Sequence, residues 1–219
     1  ILGLRLFGDL PGPVRPHTAG KRTLFGCEFA NPIGLAAGLD KDAKAVAGLA
    51  RLGFGFVEVG TVTPRAQPGN PQPRLFRLPE HQALINRMGF NNQGVAAMVR
   101  RLDTLRAREQ IAGTVIGVNL GKNKDTPLVD AAADYTTCME QLHTLADYFT
   151  LNLSSPNTPG LRQLQHGAEL SKLLNQVKEM QQRLALGGAI TPVLLKVAPD
   201  LNDEDIERIA EQLVSHELE

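Results

Sequence analysis

Short apolar runs alternate with longer segments of helical period through most of the chain, and this rhythm is the sequence form of a parallel sheet assembled from βα units. The pattern predicts strands over Ile33–Ala36, Phe56–Gly60, Val115–Leu120, Tyr148–Leu153 and Val193–Val197. The helices expected between and after them run over Ala43–Leu52, Gly94–Glu109, Leu128–Leu145, Glu169–Leu186 and Asp203–His216. Acidic residues at Asp203-Glu204-Asp205 suit a helix start, and Gly187-Gly188 suits a helix end. Ahead of the first unit, residues 21–29 read as a small hairpin turning at Gly26. Pro64, Pro68, Pro71, Pro73 and Pro79 crowd one stretch, too densely for a helix or a central strand. That stretch is expected to be a long excursion after the second strand, placed where such loops cover a site.

Consecutive βα units leave an open doubly wound sheet or a (β/α)8 barrel. Polar residues at the strand ends favour the barrel: Asp40 and Lys41, Thr61, Asn119, Asn152 and Lys196 all stand where a barrel gathers its chemistry. The first unit carries Gly34 and Gly38 but not the glycine fingerprint of a dinucleotide sheet. A complete barrel takes roughly 250 residues, so the 219 residues here are expected to hold only about the first five βα units. Residues 1–20 are expected to be the remnant of an amino-terminal segment, and 21–219 a barrel domain incomplete at its carboxyl end.

With 42% hydrophobic residues the chain can build one large core, and with 23 basic against 23 acidic residues it carries no field that would recruit nucleic acid. Small molecules are the expected partners. Cys27 and Cys138 lack metal-type spacing and are expected to be thiols; the five histidines are scattered, so no metal site is expected. No apolar run approaches the roughly 18 residues of a spanning helix. The chain opens on Ile1 rather than methionine, which leaves room for a preceding piece.

The densest polar cluster is Asn152-Leu153-Ser154-Ser155-Pro156-Asn157-Thr158-Pro159-Gly160, after the fourth strand. Asparagine presents a donor beside an acceptor without charge, which matches the alternating edge of a pyrimidine or flavin ring. Such a string also serves as an ordinary turn; its place at a strand end argues for function. Lys41 and Lys196 could hold a carboxylate or offset charge developing on a ring. Lys196 lies in the apolar run Val193–Ala198, and a lone charge there is expected to need a partner. Asn86 to Asn92 adds another amide cluster, in which Asn91 or Asn92 would also serve as a helix cap. Gly117 to Asn123 is too short for a phosphate loop, and Arg100, Arg101, Arg106 and Arg108 read as the wet face of a helix.

Asn31 to Lys41, Gly53 to Pro64, Asn86 to Asn91, Asn119 and Asn152 to Gly160, in this order, resemble the dihydroorotate dehydrogenases, and the likeness runs from about Gly20 to the end. The resemblance implies FMN across the barrel mouth, held by Ala37, Gly38, Lys41, Thr61, Asn119, Asn152 and Lys196. It implies that Lys41, Asn86, Met88, Gly89, Phe90, Asn152 and Asn157 hold dihydroorotate or orotate. The base is implied to be Ser155, where soluble members carry cysteine; this points to the quinone-reducing, membrane-associated class. Thr158 and Phe90 are implied to hold the water that carries the serine proton away, and Lys196 to stabilise the reduced flavin. That class contacts the cytoplasmic face of a bacterial inner membrane through an amino-terminal helical pair, of which residues 1–16 would keep only the downstream edge. Two rivals stand beside this reading: a barrel lyase using Lys196 as a Schiff-base nucleophile, and an inactive flavin-barrel fragment.

Overall fold

The computed structural model describes residues 1–10, 18–111, 113–185, 188 and 190–218; Leu186 and Gly187, the expected helix end, lie outside the described residues. Helix α1 (Leu2–Gly8) precedes a hairpin of β1 (Arg22–Leu24) and β2 (Cys27–Phe29), which turns at Phe25-Gly26 with φ positive at both residues. The first two βα units are β3 (Gly34–Leu35) with α2 (Val46–Arg51), and β4 (Phe56–Val62) with α3 (Val95–Ala107). Then come β7 (Val115–Leu120), α4 (Ala131–Leu142), β8 (Tyr148–Asn152), α5 (Gly167–Leu184), β9 (Val193–Lys196) and α6 (Asp203–Ser215). Between β4 and α3 the proline-rich excursion is not a bare loop: β5 (Leu75–Leu78) and β6 (Ala83–Asn86) pair within it as a second hairpin. No proline falls between Pro73 and Pro79, and the run Leu75 to Leu78 was free to extend.

The parallel sheet runs β3-β4-β7-β8-β9, in chain order and without a reversal. A doubly wound sheet has a point where strand order reverses, and helices on both faces. Here the helices share one face. Val57, Val59, Ile116, Val118, Leu120, Phe149, Leu151 and Val193 point to that side and enter one core with Leu49, Met98, Leu102, Tyr135, Met139, Leu142, Leu173, Leu174 and Val177. The alternate residues of the same strands face the other way. Phe56, Val115, Tyr148 and Leu194 form a separate apolar layer there, capped by Phe29 of β2, whose ring meets Phe56 edge-on at 5.4 Å. The hairpin therefore plugs the amino-terminal end of the sheet's inner face and leaves the carboxyl end for chemistry.

Gly117 is required in this inner face: a Cβ on it would stand 2.1 Å from the Tyr148 ring. Its bare backbone lets Tyr148 lie across β7. The termini of α2 and α4 are shorter than their apolar patterns suggested, with a 3-10 turn over Leu128–Asp130 leading into α4. Asn202 caps α6 by accepting from the Asp205 amide at 2.8 Å. Arg106 departs from the expected wet face: it bonds the Leu145 carbonyl and pairs with Asp147 at 2.9 Å, whose carboxylate also accepts the Ile116 amide. Arg101 likewise turns inward to the Asp42 carbonyl. Cys27 and Cys138 are thiols.

Candidate active site

Three adjacent strands bring their last inward side chains into one buried network. Thr61 at the end of β4 donates its hydroxyl to Asn119 Oδ1 on β7. Asn152, the last residue of β8, donates Nδ2 to Thr61 Oγ1 and to Asn119 Oδ1, both at 3.1 Å. Its own Oδ1 accepts the Ser154 amide at 3.1 Å and the Ser154 hydroxyl at 2.8 Å. Gly60 permits the close approach of β4 to β7, since a Cβ there would stand 2.4 Å from the Asn119 carbonyl oxygen.

The charges border this network. Lys196 ends β9 opposite Asn152 in register, and Lys41 follows β3. Burial lowers the basicity of Lys41, and the positive charges of Arg74 and Lys196 act in the same direction against the opposing pull of Asp42. Lys196, expected to need a partner, is exposed where β9 forms the edge of the sheet among the described residues. Asp40 is buried but structural, accepting the Lys44 and Ala45 amides at 2.8 and 2.7 Å and so shaping the turn into α2. Between β3 and that turn, the Gly38 amide bonds the Gly60 carbonyl at 2.9 Å. This holds Ala37 and Gly38 beside β4, with open space where a Gly38 side chain would stand.

The loop after β8 and the excursion close on each other. Ser155 Oγ accepts the Asn157 amide at 3.2 Å, and Thr158 is buried beneath. Asn70, from the excursion, donates Nδ2 to the Asn157 carbonyl at 3.4 Å and its own amide to the Met88 carbonyl at 3.0 Å. A Cβ on Gly89 would meet the Asn70 side chain at 2.8 Å, so the glycine makes this seam possible. Phe90 is buried with a left-handed φ of 53°, a conformation costing roughly 1–2 kcal/mol. Gln67 and Asn92 hold it there by donating to its carbonyl. Asn92 accepts the Gly94 amide ahead of α3 rather than a helical amide, so it braces the excursion's return instead of capping. Asn86 is exposed at the end of β6.

The excursion is moored by a fully buried Asn123, whose Nδ2 donates to Thr63 Oγ1, the Arg65 carbonyl and Gln67 Oε1 and whose Oδ1 accepts the Arg65 amide. Lys122, 2% exposed, donates to the Asn123 and Thr126 carbonyls, and burial lowers its basicity. The segment that failed as a phosphate loop is thus a mooring.

This chain matches the dihydroorotate dehydrogenase family over residues 20–219. The chain belongs to that family. It is 57% identical over 199 residues to the dihydroorotate dehydrogenase (quinone) of Burkholderia multivorans, covering 90% of this chain and 56% of that protein. A second such relative, from Burkholderia pseudomallei, is also 57% identical, with 90% and 57% covered. The chain thus spans little more than half the length of these relatives. Two crystal structures of DHODH from Eimeria tenella share its fold. The complex with ferulenol superposes with a TM-score of 0.86 at 36% identity, covering 99% of this chain and 63% of that one. The ligand-free form gives 0.84 at 37%, covering 100% and 66%. The five parallel strands are accordingly the consecutive units of a partial barrel.

The structure gathers the strand-end residues Thr61, Asn119 and Asn152, singled out from residue type and place, into one network. Glu58, Asn70, Arg74 and Asn123 were not read as site residues. Glu58 did carry a signal: a lone carboxylate in Phe56-Val57-Glu58-Val59-Gly60 needs a partner as much as a lysine in an apolar strand does.

Proposed function

We propose that this chain is the flavin-holding part of a quinone-dependent dihydroorotate dehydrogenase, which oxidises dihydroorotate to orotate in pyrimidine biosynthesis and passes the electrons to a quinone. The observation that carries it is the uncharged Thr61–Asn119–Asn152 network between two ammonium groups. Its amides and hydroxyl fit the edge of a flat heteroaromatic ring, and the lysines fit the negative charge that such a ring gains. FMN would be held by Ala37, Gly38, Lys41, Thr61, Asn119, Asn152 and Lys196 and would supply the two-electron acceptor.

Lys41 and the amides of Asn86, Asn152 and Asn157, with backbone from Met88 to Phe90, orient the substrate and its carboxylate. Ser155 Oγ takes a proton from a ring carbon, supported by the Asn157 amide that already donates to it. Thr158 and Phe90 hold the water that receives the serine's proton. Lys196 places positive charge where the ring becomes electron-rich.

Residues 1–20 are proposed to belong to an amino-terminal segment that rests on the cytoplasmic face of a bacterial inner membrane and admits the quinone. No helix among the described residues is long and apolar enough to span a bilayer. Exposed Leu2, Leu6 and Leu10 on and just after α1 are suited to such a surface. Residues 21–219 are the barrel domain. The lyase alternative is disfavoured by the family match over residues 20–219. The test is a visible spectrum of the full-length protein before and after anaerobic addition of dihydroorotate. A yellow protein that bleaches supports the reading; a yellow protein that keeps its colour overturns it.

A further inference from the structure

Beneath the Thr61–Asn119–Asn152 network lies a carboxylate that the reaction does not use. Glu58, two residues before Gly60 on β4, faces the inner side of the sheet and accepts three hydrogen bonds: from Asn119 Nδ2 at 2.8 Å, Thr150 Oγ1 at 3.1 Å and Tyr148 Oη at 3.2 Å. Glu58, Gly117 and Tyr148 stand side by side on β4, β7 and β8. The missing side chain of Gly117 lets the phenol reach across.

We propose that Glu58 is a positioning residue for the flavin, fixing through Asn119 the direction of the hydrogen bonds in the Thr61–Asn119–Asn152 network. The proposal rests on the flavin reading above. An ionised carboxylate only accepts, so the Asn119 atom facing it must be the NH2. Asn119 Oδ1 is thereby turned to Thr61 and Asn152, and accepts from both. Asn152 must then present its NH2 inward, which leaves its Oδ1 to accept twice from Ser154. A reversed Asn119 would set two lone-pair oxygens against each other at Glu58 and two NH2 groups against each other at Asn152. One carboxylate therefore makes a single donor and acceptor pattern compulsory across three strands, before any ring binds. A ring edge with fixed donors and acceptors gains from that order, since a site whose amides can flip loses affinity to the population of wrong orientations.

The separating experiment compares Glu58→Gln, Glu58→Asp and Tyr148→Phe in the full-length protein, reading FMN dissociation by flavin fluorescence and the unfolding temperature of the flavin-free protein. Glu58→Gln keeps the shape and the acceptor for Asn119, but its own amide can turn, so both Asn119 orientations become allowed. FMN affinity should fall about tenfold or more, equivalent to about 1.4 kcal/mol, with little change in unfolding temperature. Glu58→Asp retains an acceptor-only group and should stay within about threefold of the parent affinity. Tyr148→Phe removes a donor to Glu58 but leaves Asn119 directed; it should lower the unfolding temperature and leave FMN affinity within about twofold. If Glu58→Gln binds FMN as tightly as the parent, or if affinity simply follows unfolding temperature across the three variants, the assignment of Glu58 is overturned and the flavin reading stands. A parent protein that binds no FMN overturns both.

Discussion

Lys41 has a pH signature that follows from its surroundings. Burial first, then Arg74 and Lys196, lower its pKa below that of a free lysine. Between the lowered folded value and the unfolded one, the unfolded chain holds more protons, so this residue's contribution to stability rises with pH. Ligand binding runs the other way. A pyrimidine carboxylate needs the ammonium, so orotate affinity should fall as pH rises through the lowered pKa, beginning below the range of an ordinary lysine. A charge-assisted hydrogen bond is worth about 1.5–3 kcal/mol, so calorimetry should register a loss of about ten- to hundredfold, absent in Lys41→Met. Ser155 makes a different prediction. Ser155→Ala should keep FMN and orotate binding but slow flavin reduction at neutral pH by about 100- to 10,000-fold, the usual contribution of a general base. Stopped-flow absorbance checks it, and an unaltered rate would remove Ser155 from the chemistry.

At the scale of elements, the site depends on how the excursion over 64–94 is tied to the strands. Asn123 supplies two donor contacts and one acceptor to it, and a third donor contact to Thr63 just before it, from a position that water does not reach. Asn123→Ala should cost about 1–3 kcal/mol through the buried groups left unpaired. Hydrogen exchange should speed within 64–94 while β7 and β8 stay protected; uniform protection would contradict the mooring role. The same region marks where the sequence was hardest to read. The strands announce themselves by short apolar runs, and the boundaries of β7 match their pattern at both ends. Lys122 and Asn123 form no periodic pattern, and the partners of Asn123 lie more than fifty residues away at Thr63 to Gln67, so composition and spacing were silent. The β5–β6 hairpin was hidden for a related reason: prolines crowd its approach and mask a run of extended residues. Glu58 shows in the sequence only as a lone charge, because its partners Asn119, Tyr148 and Thr150 are 61 to 92 residues away.

For the whole molecule, the sheet's order and the one-sided distribution of helices bear out the barrel over the doubly wound alternative. That distinction was foreshadowed by polar residues at successive strand ends. At the other end of the chain, α1 packs on α2 through Gly8 and Gly48, where a Cβ on Gly48 would stand 1.8 Å from the Leu4 carbonyl oxygen. This close contact leaves Leu2 and Leu6 outward. In the full-length protein, replacing both with Asp should weaken vesicle binding and quinone reduction several-fold while leaving flavin reduction by dihydroorotate intact. Equal losses in both half-reactions would argue against a membrane-facing role for α1. The central claim is that strand-end amides and two lysines gather around one flat redox ring and its pyrimidine partner. The most direct test is a crystal structure of the full-length protein with FMN and orotate. The account predicts the flavin ring within hydrogen-bond reach of Asn119, Asn152 and Lys196 and the orotate carboxylate beside Lys41; a flavin bound elsewhere, with those side chains still bonded only to one another, would contradict it.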